Sequence, residues 1–428
     1  MRRRVKVQLI VPSRPYLLNP KALPNLGVLY VAYELRRLGV DVVVTDFAFE
    51  EERRILEDVD IVGITMTTAD FHEVANIVRQ VREVNPKAKI VCGGPHATLA
   101  PSECLRIGCD SVCVGDGEPA IRNLVRDYVE TGRVDPIYVG YAKNIDEFYP
   151  DRRIVDLRRY DFKIVDVHAT PMMTARSCAW RRCAFCSRLP PPWDYVRYHS
   201  VEHVRRELEE ILDIGFKGVM IYDDEFLTHP KRDVEIVKLI RDLGFKAWRC
   251  FIHSKLFLKT LEKVPNLMKL LVESNLKEVL IGVESGSNKI LQVIEKGVTV
   301  EENEKVIKLF KEYGIRVKAA MIVGLPSESK ETLMETWRWL EKMENYIDDY
   351  DFVTCTPYPG SKIYKMWWKY DLKFDFDSIY TAYKGMHTKD WRPCRIWTSS
   401  LSFEEILRWR NAFEKRFKFK DYTVKPPI

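Results

Sequence analysis

No apolar run in the 428-residue sequence approaches the roughly 18 residues of a membrane span, and the opening strand-length VKVQLIVP runs into Ser13-Arg14-Pro15, unlike a signal peptide. A cytoplasmic protein is the expectation. One-sided charge is also missing: 68 Lys and Arg against 62 Asp and Glu leave +6, and the basic run is confined to Arg2–Arg4, so a nucleic-acid partner is not expected. With 20 Gly and 22 Pro the chain is too poor in both for a collagen-like or low-complexity class. What is present is 46% hydrophobic and 30% charged residues, a folded, enzyme-sized composition. At about one domain per 100 to 200 residues, three domains are expected. The aromatic content of 11% reads first as packing.

Residues 1–135 alternate short apolar runs (VKVQLIV, VDVVVTDF, DIVGITM, KIVCGG, SVCVGD) with amphipathic helical stretches such as LGVLYVAYELRRLG and HEVANIVRQVREV. Near-continuous apolar strands separated by helices predict a parallel sheet covered on both faces, a doubly wound α/β domain whose ligand lies at the strand carboxyl ends. Residues 136–168 are polar and mixed and read as a connector with a short hairpin. Residues 169–365 hold six further strand and helix pairs, with a helix expected around Leu261 to Glu273 and helices ending at Gly215, Gly244 and Gly314. A partial (β/α)6 barrel fits, with chemistry at the strand carboxyl ends. Residues 366–428 read as a small, mainly helical third unit rich in Trp367, Trp368, Tyr380, Tyr383, Trp391 and Trp397, ending in a helix from about Ser402 to Phe417.

Chemistry concentrates in TARSCAWRRCAFCSR, just after the first barrel strand, where four residues separate Cys178 from Cys183 and two separate Cys183 from Cys186. Three thiolates are one short of a closed zinc site or of a four-Cys electron-transfer cluster, which leaves one iron of a [4Fe-4S] cluster open. Zinc completed by His203 is the alternative, and Arg181 and Arg182 are expected to lower the thiol pKa. Cys92, Cys104, Cys109 and Cys113 sit in or near strands and read as core.

Over about Pro171 to Tyr364 these residues resemble the radical S-adenosylmethionine (SAM) superfamily. The resemblance implies that Cys178, Cys183 and Cys186 hold a [4Fe-4S] cluster whose free iron binds SAM, and that an electron from it cleaves SAM to a 5′-deoxyadenosyl radical. It further implies an external one-electron reductant such as ferredoxin or flavodoxin. The usual spacing of the first two Cys is one residue shorter, so a residue is inserted among Ala179, Trp180, Arg181 and Arg182. By the same resemblance Phe185 packs near adenine, Asp223, Asp224 and Glu225 lie near the SAM amino group, Glu284 and Ser285 hold ribose or the SAM polar end, and Gly324, Leu325 and Pro326 bind adenine. TPYPGS at Thr356 to Ser361 closes the set, and either Arg249 or His253 faces the SAM carboxylate.

The first domain resembles the cobalamin (B12)-binding domains that precede the barrel in one branch of that superfamily, through DIVGITMTT, VCGGPHATLAP and SVCVGDGEPAI. The resemblance places a corrinoid against Thr65, Thr67, Gly93, Gly94, Pro95, His96, Gly115, Gly117 and Glu118. The D-x-H-x-x-G motif that supplies an axial His elsewhere is replaced by LNPKAL at Leu18 to Leu23, so cobalamin is expected without a protein His ligand. His72 reads as a helix-surface residue and His96 as a loop residue near the nucleotide tail. Together the two resemblances imply a cobalamin-dependent radical SAM methyltransferase of an unactivated carbon. The acceptor stays open among peptide or protein, lipid and metabolite, and the reading leans to a peptide or protein side chain. The alternatives are a radical SAM cyclase or C–C coupling enzyme with a vestigial first domain, and a non-catalytic corrinoid-binding sensor or carrier. A tRNA methylthiotransferase fits less well, because that family carries a β-rich RNA-binding tail and this tail reads as helical.

Overall fold

In β1 (Lys6–Val11) the side chains of Val7, Leu9 and Val11 enter one apolar layer and Ile10 enters another, the two-residue alternation of a strand covered on both faces. The computed structural model describes residues 4–382 and 392–427, so Arg2, Arg3, Tyr383 and Trp391 lie outside the described residues. Its first unit comprises residues 4–161 and Leu189–Arg197. There β1, β2 (Asp41–Asp46), β3 (Ile61–Thr65), β4 (Lys89–Gly93), β5 (Ser111–Gly115) and β6 (Ile137–Gly140) form a parallel sheet of order β2-β1-β3-β4-β5-β6. Helices α1 (Leu26–Arg37) and α5 (Gly117–Thr131) bury Val28, Leu35, Ile121 and Leu124 on one face, while α2 (Phe71–Val84), α3 (Pro95–Leu99) and α4 (Pro101–Arg106) cover the other. This is the doubly wound domain the sequence predicts, with its topological switch point between β1 and β3.

Strand β6 falls in the expected connector. Only Tyr138 and Gly140 of its four residues are buried, as suits an edge strand with one face in water. Residues Leu189–Arg197 complete this unit: the Trp193 indole donates to the Gly140 carbonyl at 2.7 Å, and Arg197 pairs with Asp116.

The second unit comprises Phe162–Arg188, 198–382 and 392–427. A hairpin of β7 (Lys163–Ile164) and β8 (Val167–Met172) leads into two-residue strands β9 (Ala175–Arg176) and β10 (Arg197–Tyr198). Then follow α6 (Val201–Ile214), β11 (Gly218–Ile221), α7 (Pro230–Asp242), β12 (Ala247–Ile252), α8 (Ser254–Lys263), α9 (Leu267–Glu273) and β13 (Leu276–Glu284). The series ends with α10 (Asn288–Val293), α11 (Val300–Glu312), β14 (Arg316–Val323), α12 (Lys330–Met343) and β15 (Asp349–Thr354). Strands β8 and β11 to β15 are parallel neighbours in the order β15-β14-β13-β12-β11-β8-β7, a curled half-barrel. The helix expected around Leu261 to Glu273 is broken in two by Val264-Pro265-Asn266, since Pro265 has no N–H to continue a helix.

The C-terminal residues are not a third unit but part of the second. After α13 (Lys362–Lys365), β16 (Lys373–Phe374) and β17 (Ile396–Trp397), helix α14 (Phe403–Phe413) and the π-turn Glu414–Lys418 cover the edge strand β15. Trp409, Phe413 and Phe417 pack on Trp337, and Phe413 stacks on Phe352 at 5.6 Å. Arg410, 2% exposed, donates to the Phe352 carbonyl at 3.1 Å and pairs with Glu414, so an edge-strand acceptor is satisfied without a further strand. Among the described residues no helix is long and apolar enough to cross a membrane.

Candidate active site

The half-barrel brings its chemistry-bearing residues to the strand carboxyl ends. The segment after β8 is braced there by Asp223, which follows β11: its carboxylate accepts the backbone N–H groups of Thr174 (2.6 Å) and Ala175 (3.1 Å) and the Thr174 hydroxyl. Burial nevertheless raises the Asp223 carboxyl to about 7. Both of its carboxylate oxygens are engaged in this brace. Asp224 is exposed and Glu225 half-buried, and burial raises the Glu225 carboxyl to about 8. The buried Oε2 of Glu225 has no hydrogen-bond partner among the described residues.

Just beyond the brace, Ser177 (φ 76°) and Arg181 (φ 55°) take left-handed conformations and fold Cys178–Cys186 into a tight loop. The three Cys are half-buried, and Ala184 N–H ties the loop to the Ile294 carbonyl at 2.8 Å. The TPYPGS segment holds its far end: Ser187 donates to the Pro359 carbonyl, and Ile363 N–H to Ala184 at 3.1 Å. Phe185 is half-buried between Cys183 and Cys186.

All three thiols are raised rather than lowered. Burial is the main cause for each; Glu225 adds to it at Cys178, Glu284 and Cys178 at Cys183 (to about 11), and Asp224, Cys183 and Cys178 at Cys186. The expectation that Arg181 and Arg182 would lower them is corrected, because desolvation outweighs those charges and Arg182 instead lies over the Trp180 ring at 5.2 Å. Three soft donors thus share one short loop beside carboxylates, and the other thiols help raise Cys183 and Cys186. Such a donor set suits a cationic metal centre, which would reverse each of these shifts. His203 is not brought to them: it stacks on His199 at 3.8 Å on α6.

Opposite the loop, the pairing of β13 with β14 is interrupted between Gly282 and Glu284, and Glu284 itself is left-handed (φ 65°). A bulge with a strained carboxylate is a device for aiming a side chain. Glu284 Oε1 meets Lys296 Nζ at 2.9 Å, both buried, and a Cβ on Gly282 would come within 2.5 Å of that Oε1, so this glycine makes room for the pair. Burial alone would lower the Lys296 ammonium, but Glu284, Cys183 and Glu225 around it outweigh that and raise it. Lys296 was not among the sequence-based site residues. In the sequence it stands in a Lys-Gly pair shortly after the end of α10, which reads as an ordinary helix end.

Ser285 faces Thr336 at 3.2 Å, an internal contact. Gly324, Leu325 and Pro326 form a buried turn whose first N–H is accepted by Glu328 Oε2 at 2.6 Å. Of the two candidates on β12, Arg249 is held by Glu278 at 2.7 Å, while His253, at the strand end, lies against Trp180 with its Nε2 3.1 Å from the Lys296 carbonyl. Burial and Lys296 lower His253 to about 3, so it is neutral.

In the first unit, the loops after β1, β3, β4 and β5 meet at one end of the sheet. Thr65 and Thr67 follow one another out of β3; Thr67 is exposed and its hydroxyl is 2.6 Å from Asp70. Gly93 and Gly94 end β4, and a Cβ on Gly94 (φ 98°) would sit 2.9 Å from the Met66 carbonyl, so the backbones of β3 and β4 meet there. Pro95 starts α3. His96 is corrected from a loop to a helix residue: it is buried, with Nδ1 3.0 Å from Thr68 and Nε2 3.2 Å from Glu103, and burial lowers its pKa. Trp193 would lie 2.3 Å from a Cβ on Gly115, so only glycine fits beneath that indole; Gly117 and buried Glu118 open α5. His72 is exposed on α2. In the window where an axial His would stand, Leu18 is 63% exposed. Cys92, Cys104, Cys109 and Cys113 are buried.

The family description "Radical SAM superfamily" matches residues 172–340, and "B12 binding domain" matches residues 20–125. An uncharacterized methyltransferase of Pyrococcus horikoshii is 30% identical over 376 residues, covering 82% of this chain and 78% of its own. The chain is a B12-domain radical SAM enzyme. This radical SAM enzyme is also 26% identical over 396 residues to the anaerobic magnesium-protoporphyrin IX monomethyl ester cyclase of Rubrivivax gelatinosus, covering 83% of this chain and 68% of that one. Its fold matches the radical SAM methyltransferase TsrM of Kitasatospora setae, solved with cobalamin and a [4Fe-4S] cluster bound, at a TM-score of 0.72 and 16% identity, covering 96% and 91% of the two chains.

Proposed function

We propose that this radical SAM enzyme is a cobalamin-dependent methyltransferase that adds CH3 to an unactivated carbon. The observation that carries the reading is the pairing, in one chain, of a three-Cys loop facing the buried Glu284–Lys296 pair with a B12-binding domain. When bound, a [4Fe-4S] cluster with an open iron supplies the electron that splits SAM, and a corrinoid supplies a methyl group by one-electron chemistry. Cys178, Cys183 and Cys186 would hold the cluster. Lys296 is placed to accept a carboxylate and Glu284 or Glu225 an ammonium, which are the two charged ends of an amino acid. Thr65, Thr67, Gly93 and Gly94 would bear the corrinoid, and the exposed Leu18, together with the occupied ring nitrogens of His96, supports binding without a His ligand. A protein such as ferredoxin or flavodoxin would deliver the electron. The methyltransferase description of the Pyrococcus relative supports the transfer of CH3.

The test is to supply labelled SAM and candidate acceptors, peptides and proteins first, and to quantify the products by mass spectrometry. Each methylated product should accompany about one 5′-deoxyadenosine and one S-adenosylhomocysteine, because hydrogen removal and methyl replacement each consume one SAM. A second reading, cyclisation, is favoured by the Rubrivivax relative. It predicts product with 5′-deoxyadenosine, no S-adenosylhomocysteine and no gain of 14 mass units.

A further inference from the structure

The loop between Cys178 and Cys183 holds four residues, and the second of them, Trp180, is tied down on every side. Its indole N–H donates to the Glu295 carbonyl at 3.0 Å. Its six-membered ring occupies the space over Gly297, where a Cβ would come within 1.7 Å of it; with φ at 70°, Gly297 is required twice over. One side of the ring lies against His253, 5.0 Å between centroids, and the Arg182 guanidinium lies over it at 5.2 Å. His253 in turn lies 3.1 Å from the Lys296 carbonyl. Two consecutive carbonyls, those of Glu295 and Lys296, are thus held by two rings that touch each other. The side chain between them is the lysine that pairs with Glu284. At the other end of the same residue, the Trp180 backbone N–H points at Cys178 Sγ, 3.4 Å away.

We propose that Trp180 is a positioning residue: it seats the cluster loop on the Glu295–Gly297 turn, fixing Lys296 relative to the cluster and aiming a backbone N–H at Cys178 Sγ. The longer Cys178–Cys183 spacing gives the loop the reach to set this ring over Gly297. The proposal rests on the radical SAM reading. Two effects follow. Hydrogen bonds to a ligand sulfur withdraw charge and favour the reduced cluster, so losing the anchor lowers its reduction potential. Losing the anchor also frees the turn that carries Lys296, so SAM binds less well.

The test compares the full-length protein with Trp180→Ala and Trp180→Phe after anaerobic reconstitution. Iron and sulfide content, a redox titration, and the electron paramagnetic resonance spectrum of the reduced cluster through a SAM titration are recorded. Trp180→Ala should keep its iron, show a lower potential, and need about tenfold or more extra SAM to change the spectrum. Trp180→Phe keeps the wedge over Gly297 but not the indole N–H, and should fall between. Wild-type potential and wild-type SAM response in Trp180→Ala would overturn the proposal. Should Trp180→Ala hold no iron, Trp180→Phe decides alone: an intermediate response supports the anchor and a wild-type response sinks it. A wild-type protein that takes up no cluster would instead count against the radical SAM reading itself.

Discussion

Residue types with few uses are read most directly from a sequence. Three Cys within nine positions point to a metal loop, and replacing Cys178, Cys183 and Cys186 together with Ala should abolish the broad iron-sulfur absorbance. Cys250→Ala, Cys355→Ala and Cys394→Ala should spare it, because all three are buried elsewhere in the second unit. Lys296 was illegible for the opposite reason. Lysine is a common surface residue, and only the bulge at Glu284, a three-dimensional event, turns this one inward. Its substitution by Met leaves Glu284 as a buried unpaired charge, which typically costs about 3–5 kcal/mol. We expect a large fall in the urea midpoint of Lys296→Met, and much of it should be recovered in Lys296→Met with Glu284→Gln. The carboxylates of Asp223 and Asp224 show another limit, since adjacent acids at a strand end look alike until one is found pinned to Thr174.

At the level of elements, periodicity carried the reading: strands buried on both faces were largely apolar, with Gln8 of β1 a buried, hydrogen-bonded exception, and helices kept one apolar stripe. Where it failed, a physical reason is visible, as with the half-wet edge strand β6 and the Pro265 break between α8 and α9. The turn after β14 carries a pH-dependent term. Glu328 is buried beside the Gly324 N–H, and burial raises its carboxyl from 4.5 to about 8. The folded protein therefore keeps this proton where the unfolded chain has lost it. The contribution is complete below about pH 4.5 and is lost as pH rises toward 8, at about 1.4 kcal/mol per pH unit. Urea unfolding at pH 5.5 and 7.5 should show a smaller loss of stability for Glu328→Gln than for the wild type. The C-terminal helix was legible as a helix but not as a lid on β15, because its aromatic face could equally have closed a separate unit. Trp409→Ala should cost about 3–5 kcal/mol, read by thermal or urea unfolding.

For the whole molecule, the two resemblances located both halves, but contiguous boundaries could not describe a chain that leaves one unit and returns. Residues Leu189–Arg197 begin three positions after Cys186 and belong to the first unit, where Trp193 covers Gly115 and Gly140. This path sets an order of synthesis. A nascent chain that has emerged only to Asp161 has every strand of the first sheet but lacks the indole that closes the ends of β5 and β6. Those backbones stay open to water until Trp193 leaves the ribosome, by which time Cys178, Cys183 and Cys186 have all been made. The first unit thus matures only after the cluster loop exists. Hydrogen exchange on released chains ending at residue 161 and at residue 197 should show greater protection of Val112–Gly115 and Ile137–Gly140 in the longer chain.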